Sequence, residues 1–369
     1  MPLYLLQTVS VGLLLLILFF RQGIVARLQI IMWTTLVLAI AIRYGLTGQL
    51  EFYSNDQRFH TGIVESLLGT GFSSDLDWWL SASRWPFTFP AAIMAMLGLS
   101  PILSLKVTAL IYLLSISQYL ESKLASPTKR LALRNAYVTG IAFIGVFFSS
   151  LALRETAMMF FVVVAVVSGA PSHRIAALLM LGFLRPHLAA AIILALVLAE
   201  ILRAARLIER WDPLRASLAA ILGSLLGWIL YTLGFQFQTG VSGFRAHTFG
   251  IRPVMRIASN FFGLQFLTAF EESREASLTA LLLTRLLFSE TILIPSIFVI
   301  ITLLSRQLSS SGKTMLLTFA IYVGLVTQTE FNSFRQNIPL IPLMGFVIID
   351  HLNARTSKNL PTAIDSHET

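Results

Sequence analysis

Residues 53–71 contain an acid and a histidine that are candidates for chemistry, Asp56 as a catalytic residue and His60 as a substrate-binding one. Asp56 and His60 stand four residues apart, so they would share one face of a helix. The neighbouring face is apolar and consists of Phe59, Ile63 and Leu67. This pattern predicts an amphipathic helix lying in a membrane interface. Asp56 could serve as a general base towards a hydroxyl group, or could simply cap the start of the helix.

Aromatic and basic side chains follow the predicted helix, at Trp78, Trp79 and Arg84. Tryptophan is common where a membrane meets water, so each ring is a candidate interface anchor. An indole ring is also a flat apolar surface on which a sugar ring can stack. The sequence leaves both interpretations open, and we keep all three side chains as candidate substrate-binding residues.

Arg154 and Glu155 are adjacent charges between two apolar runs. Charged side chains are costly at membrane depth unless they are paired or line a cavity. The two residues therefore form either an ion pair in an interfacial turn or part of a site. In the second interpretation Glu155 lies beside Asp56 as a catalytic acid, and Arg154 contacts the substrate.

Arg185, Pro186 and His187 interrupt the otherwise apolar stretch 175–199. A guanidinium can hold phosphate oxygens through two parallel hydrogen bonds, so Arg185 and His187 form a candidate anion site. The alternative is a kink at Pro186 with the arginine reaching an interface. Arg335, before a proline-containing apolar run, is a further candidate for binding phosphate or an ordinary polar residue at a helix start.

The segments between these residues are too apolar for a soluble protein. Of 369 residues, 56% are hydrophobic and 12% are charged, whereas soluble domains carry about 25% charged residues. The apolar runs predict an all-α polytopic integral membrane protein with about 10–11 transmembrane helices. The net charge is +9, but the basic residues lie in short segments between apolar runs. Nucleic acid is therefore not an expected partner. The absence of cysteine excludes disulfides and a cysteine nucleophile.

The distribution of lysine and arginine predicts the orientation of the chain, because basic loops stay in the cytoplasm. This rule places the N-terminus and the loops 45–85 and 235–275 outside. Residues 1–353 form a single predicted transmembrane domain, and 354–369 a polar cytoplasmic tail. Residues 86–119 are predicted as two helices broken near Pro101. Residues 175–199 are either two short helices meeting at Arg185 or one long kinked helix.

Residues 56–71 resemble the first external loop of the GT-C membrane glycosyltransferases. In that family an acid is followed four residues later by an aromatic residue or histidine, then by a small apolar helix ending in glycine. The later motifs at Glu155, Arg185 and Arg335 stand in a similar order. Many members have a second acid beside the first, where this chain has asparagine and glutamine. The cofactor therefore stays unknown, and no metal ligand is predicted.

The resemblance implies a polyprenyl-phosphate-linked sugar as donor, a glycan or lipid as acceptor and membrane lipids as surroundings. It also implies that the active site is external, with Asp56 as its base. The short loops suggest a bacterial inner membrane. One alternative is an O-antigen or exopolysaccharide polymerase, since the basic residues of this chain are similar to those with which such enzymes hold their lipid-linked substrate. Another is a transporter or flippase, which predicts broken helices in matching halves of the chain.

Overall fold

The computed structural model describes residues 2–19, 24–47, 55–69, 84–123, 145–204, 212–239, 297–302, 309–326 and 338–358. Regular structure in these ranges is helical throughout, with no strand among them, as the sequence predicted. The first helices are α1 (Pro2–Leu18), α2 (Ile24–Thr47), α3 (Asn55–Leu67), α4 (Trp85–Met96) and α5 (Pro101–Lys123). They are followed by α6 (Glu155–Val167), α7 (Pro171–Leu184), α8 (Pro186–Ala204), α9 (Pro213–Thr239), α10 (Ser310–Val326) and α11 (Ile341–Lys358).

Within the described ranges, three helical segments are long and apolar enough to cross a membrane. They are Val25–Arg43 in α2, Pro101–Lys123 and Pro186–Ala204. The 23 residues of α5 extend about 34 Å, which matches a hydrocarbon core of about 30 Å. These helices are consistent with a membrane-embedded protein. The larger number of spans and their orientation remain predictions.

The chain divides into two compact units. Unit 1 comprises Met1–Ala125 and Asn135–Ala190, and unit 2 comprises Ser126–Arg134 and Ala191–Thr369. The sequence predicted a single domain over residues 1–353 because no polar linker interrupts the apolar runs. The boundary between the units falls inside α8, so no change in composition marks it.

Helix α5 forms the centre of unit 1. Every residue from 103 to 110 is buried, and its apolar side chains pack with α1 and α2 around Trp33. A buried hydrogen bond of 2.6 Å from Gln29 Nε2 to Ser117 Oγ also joins α2 to α5. Helix α5 is therefore the element along which the rest of unit 1 is arranged.

Helices α4 and α5 form a hairpin, and the predicted break near Pro101 is confirmed. Gly98 in the connecting turn has φ +100°, a conformation that glycine adopts without steric strain. The Tyr112 hydroxyl donates a 2.6 Å hydrogen bond to the carbonyl oxygen of Pro86. Since Tyr112 is the midpoint of α5, the start of α4 lies beside the middle of α5.

A second hairpin consists of α6 and α7. At the end opposite the connecting turn, a 2.8 Å hydrogen bond from Arg154 Nη1 to the carbonyl oxygen of Leu184 joins the two helices. Arg185 then interrupts the helical backbone with φ −159° and ψ 88°, and α8 begins at Pro186. Of the two alternatives for 175–199, the structure therefore shows two helices. Helix α8, with 19 residues, is longer than the short half that the sequence predicted.

Unit 2 is built on close packing of α9 against α10. Gly223 and Gly227 are one turn apart on α9, and Gly324 faces them from α10, so that the two backbones touch. Ser224 Oγ also donates a 3.1 Å hydrogen bond to the carbonyl oxygen of Ala320. Small residues at such a spacing are typical of helices that associate in membranes.

The ends of the helices in unit 2 carry the basic residues that the sequence placed in the cytoplasm. Lys313 precedes the apolar part of α10. Burial lowers the pKa of Lys313, and the nearby charge of Arg203 at the end of α8 lowers it further. The end of α8 and the start of α10 therefore lie close together. Helix α11 continues to Lys358, so part of the predicted polar tail is helical.

Candidate functional site

The helix predicted around Asp56 and His60 is present as α3, and its buried side is largely polar. The buried residues are Gln57, His60, Thr61, Ile63 and Val64. The His60 ring meets the buried Phe87 ring of α4 edge-on, with centroids 5.3 Å apart. Leu67, expected on the lipid-facing side, is 39% exposed. Asp56 belongs to the first turn of α3, and its side chain lies outside the described part of the structure.

A tight turn at residues 151–154 holds Glu155 in place. Ala152 has φ 56°, and the N–H groups of Ala152 and Leu153 donate to the carbonyl oxygens of Ser149 and Phe148, both at 3.2 Å. This pattern is a Schellman motif, which usually has glycine at the left-handed position. The strained turn is followed directly by α6, whose first residue, Glu155, is 2% exposed.

Two hydrogen bonds bring three of the sequence motifs together in unit 1. Gln57 Nε2 of α3 donates to the carbonyl oxygen of Leu151 at 2.5 Å. The helix that carries Asp56 therefore lies against the turn that carries Glu155. The bond from Arg154 to Leu184 places the same turn beside the break at Arg185. Residues 57, 151, 154 and 184 thus form a continuous chain of contacts between the motifs.

Three half-buried arginines stand at the starts of three helices in this region. Arg84 is the N-cap of α4, Arg154 is the N-cap of α6, and Arg185 immediately precedes α8. The Arg84 guanidinium lies 5.9 Å from the centroid of the Phe59 ring of α3. Arg84 contacts α3, which bonds to Leu151 through Gln57. Arg154 is in the same turn as Leu151 and bonds to Leu184, the residue before Arg185.

The charges of this arrangement suit an anion. A helix N-terminus carries a partial positive charge and presents backbone N–H groups, both of which favour phosphate. Neither Arg84 nor Arg154 caps its helix with a side-chain hydrogen bond. A guanidinium at the same position adds a full positive charge and a planar pair of donors. Glu155 supplies a carboxyl group in the first turn of α6, where a negative charge is also favoured.

One part of the candidate site, the start of α4, lies beside the middle of α5. Tyr112 contacts the rings of Phe160 and Phe161 at 5.8 and 5.5 Å, which fixes the level of α6. Glu155 is five residues from Phe160, or about 8 Å along the helix. Helices α4, α6 and α7 are each only 12 to 14 residues long, and each has one end at the site. Such short helices are tolerated in membranes where their ends are covered by protein or line a cavity.

The remaining predicted site residues are His187, Trp78, Trp79 and Arg335. His187 follows Arg185 by two residues, in the first turn of α8, and is exposed. Trp78, Trp79 and Arg335 lie outside the described residues. Gln57 stands beside Asp56 but was not predicted as a site residue. The position of each arginine immediately before a helix start was not predicted either, although the prolines at 86 and 186 indicate two of these starts.

Among the residues that the structure describes, no group of three histidine, aspartate or glutamate side chains could hold a metal ion. The expectation that the site has no metal ligands remains untested. No protein-family model, no curated protein and no solved structure matches the chain.

Proposed function

We propose that the chain is a polytopic membrane glycosyltransferase that takes its sugar from a polyprenyl-phosphate-linked donor. The observation that carries this proposal is that Arg84, Arg154 and Arg185 stand at three helix starts whose elements are joined by contacts through α3, Leu151 and Leu184. The arginines offer a phosphate site within a helical unit whose central helix is long enough to cross a membrane. A lipid-linked phosphate sugar is a substrate that can reach such a site from the bilayer.

In the proposed reaction, the arginines hold the phosphate of the donor. A carboxylate, Glu155 or Asp56, accepts the proton of the acceptor hydroxyl as its oxygen attacks the anomeric carbon of the sugar. The new glycosidic C–O bond forms while the bond from the anomeric carbon to the phosphate oxygen breaks. The lipid phosphate leaves with the bonding electron pair, and the fixed guanidinium groups stabilise its increased negative charge.

The proposed topology has a GT-C-like arrangement of about ten spans, with the site open to the external side of a bacterial inner membrane. It follows from the positions of the basic loops. The charge of Arg203 lowers the pKa of Lys313, which agrees with placing both residues on the same side of the membrane. The acceptor is a glycan or lipid on the external side.

Cysteine labelling tests whether α5 crosses the membrane in this direction. The chain has no native cysteine. Leu97, in the turn before α5, is 82% exposed, and Ser122 is exposed in its last turn. A Leu97→Cys variant is expected to react with an impermeant maleimide added to intact cells, and Ser122→Cys only after permeabilisation. Labelling of both from outside would mean that α5 does not cross, and the reverse pattern would invert the proposed topology.

Transport is a second candidate function, favoured by the level of the site along α5 and by the break between α7 and α8. Transporters typically bind their substrates near the middle of the membrane, between helices that are interrupted at that level. A flippase for a lipid-linked phosphate sugar would use the same arginines to hold the head group. It would not need a carboxylate that accepts a proton, which separates it from the transferase.

The deciding experiment is a mass-spectrometric profile of lipid-linked sugars and surface glycans in a deletion strain. The strain is rescued with the wild type or with Asp56→Asn. For a transferase, one polyprenyl-phosphate sugar accumulates and one glycan residue disappears. If Asp56 is the base, Asp56→Asn also fails to rescue. Loss of long chains with retained single repeat units would indicate the polymerase instead. Rescue by Asp56→Asn would exclude Asp56 as the base, and an unchanged profile would contradict the proposal.

A further inference from the structure

Two buried threonine hydroxyls next to the candidate site have no hydrogen-bond partner in the described part of the chain. Thr61 on α3 is 5% exposed and Thr156 on α6 is fully buried. Neither Oγ1 atom has a partner within hydrogen-bond distance. Because buried polar groups are nearly always hydrogen-bonded, these two hydroxyls require an explanation.

Several other helical threonines satisfy their hydroxyls locally. Donation to the carbonyl oxygen four residues earlier is seen for Thr8, Thr34, Thr88, Thr108 and Thr318. Thr61 does not use the carbonyl of Gln57, although that residue belongs to the same helix. Thr156 lacks such a carbonyl, because the residue four positions earlier, Ala152, is in the left-handed turn. Both hydroxyls therefore remain available for a ligand.

The two threonines lie on the elements that the site joins. Thr61 is one helical turn after Gln57, whose side chain reaches the carbonyl oxygen of Leu151. Thr156 directly follows Glu155, one of the two candidate bases, at the start of α6. The hydroxyl groups of Thr61 and Thr156 thus belong to α3 and α6, the helices whose contacts connect the arginines that would hold the ligand.

We propose that Thr61 and Thr156 bind hydroxyl groups of the transferred sugar and determine its recognition. The inference rests on the proposed function, because it assumes a donor with a sugar next to a phosphate. A threonine hydroxyl can donate one hydrogen bond and accept others, which matches the donors and acceptors of a sugar. The arginines bind the phosphate, which every polyprenyl phosphate carries, and the threonines distinguish the glycosylated lipid from the bare one.

Binding measurements on the purified full-length protein test this division. The probes are polyprenyl phosphate and the same lipid carrying glucose, galactose, mannose or N-acetylglucosamine. The wild type is expected to prefer at least one glycosylated lipid over the bare lipid. Thr61→Val and Thr156→Val, which keep the shape of the side chain, are each expected to reduce that preference about tenfold. Thr88→Val is the matched control, since its hydroxyl bonds to the Arg84 carbonyl.

The ligand-free protein gives a second readout. If the hydroxyls are reserved for a ligand, Thr61→Val and Thr156→Val leave the Tm unchanged or raise it, whereas Thr88→Val lowers it. A fall in Tm for either site variant as large as that for Thr88→Val would overturn the inference, because the hydroxyl would then be structural. An unchanged sugar preference in both variants, or no preference in the wild type, would overturn it as well. Binding of bare polyprenyl phosphate tests the phosphate site of the proposed function, whereas the sugar preference tests the role of the two threonines.

Discussion

Replacing Glu155 by glutamine is expected to lower glycosyl transfer by about 10²- to 10⁴-fold. Glutamine has nearly the same shape but cannot accept a proton from the acceptor hydroxyl. Because Glu155 is 2% exposed, the neutral amide is also easier to bury than a charged carboxylate. The folded yield and Tm should therefore be maintained while turnover is lost. The assay measures transfer of a labelled sugar in membranes with matched protein levels.

Glu200→Gln is the matched control for this variant. Glu200 lies on α8, where it forms an exposed ion pair with Arg203 at 2.8 Å. Exposed pairs contribute little to stability, so this change should affect neither folding nor turnover. Wild-type turnover of Glu155→Gln would mean that Glu155 does not act as the base. The candidate for the base would then be Asp56 alone.

A second large effect is expected where α9 touches α10. A Cβ atom on Gly227 would overlap the carbonyl oxygen of Ile321, and one on Gly324 would overlap that of Ser224. Backbone atoms cannot move aside as a flexible side chain can, so the helices must separate. Gly227→Ala should destabilise unit 2 by about 1–3 kcal/mol, which thermal unfolding in detergent measures as a lower Tm.

Gly182→Ala provides the comparison, because nothing lies within 4 Å of a Cβ atom at that position of α7. Alanine is a better helix former than glycine by up to about 1 kcal/mol. The Tm of this variant should therefore stay level or rise. Equal effects of the two alanine variants would contradict the close backbone packing of α9 and α10.

Local features of the fold were predictable because they depend on nearby residues. Continuous apolar runs predict helices, and the prolines at 101 and 186 mark where two of these runs break. The Schellman turn at Ala152 was not predictable, since the left-handed position normally has glycine. The boundary between the two compact units lies within α8, where the neighbouring residues are all apolar, so composition does not indicate it.

The candidate site was predictable residue by residue but not as an assembly. The sequence singled out His60, Arg154, Glu155 and Arg185 as chemically unusual in apolar surroundings. It could not show that Gln57 reaches Leu151 or that Arg154 reaches Leu184, because these contacts join positions 94 and 30 residues apart. Periodicity shows that α3 has two faces but does not determine which face packs on the protein. The face with Gln57, His60 and Thr61 is buried, and Gln57 bonds there to the backbone of the turn before α6. Ile63, from the predicted apolar face, is buried as well.

The central claim is that the arginines at the helix starts hold the phosphate of a lipid-linked sugar. Its most direct test is the affinity of the purified protein for polyprenyl phosphate, compared between the wild type and an Arg84→Gln, Arg185→Gln double variant. Arg203→Gln, at the far end of α8, is the control. We expect the double variant to bind at least about a hundredfold more weakly, with an unchanged Tm, and the control to bind as the wild type does. Equal affinity in all three proteins would contradict the account.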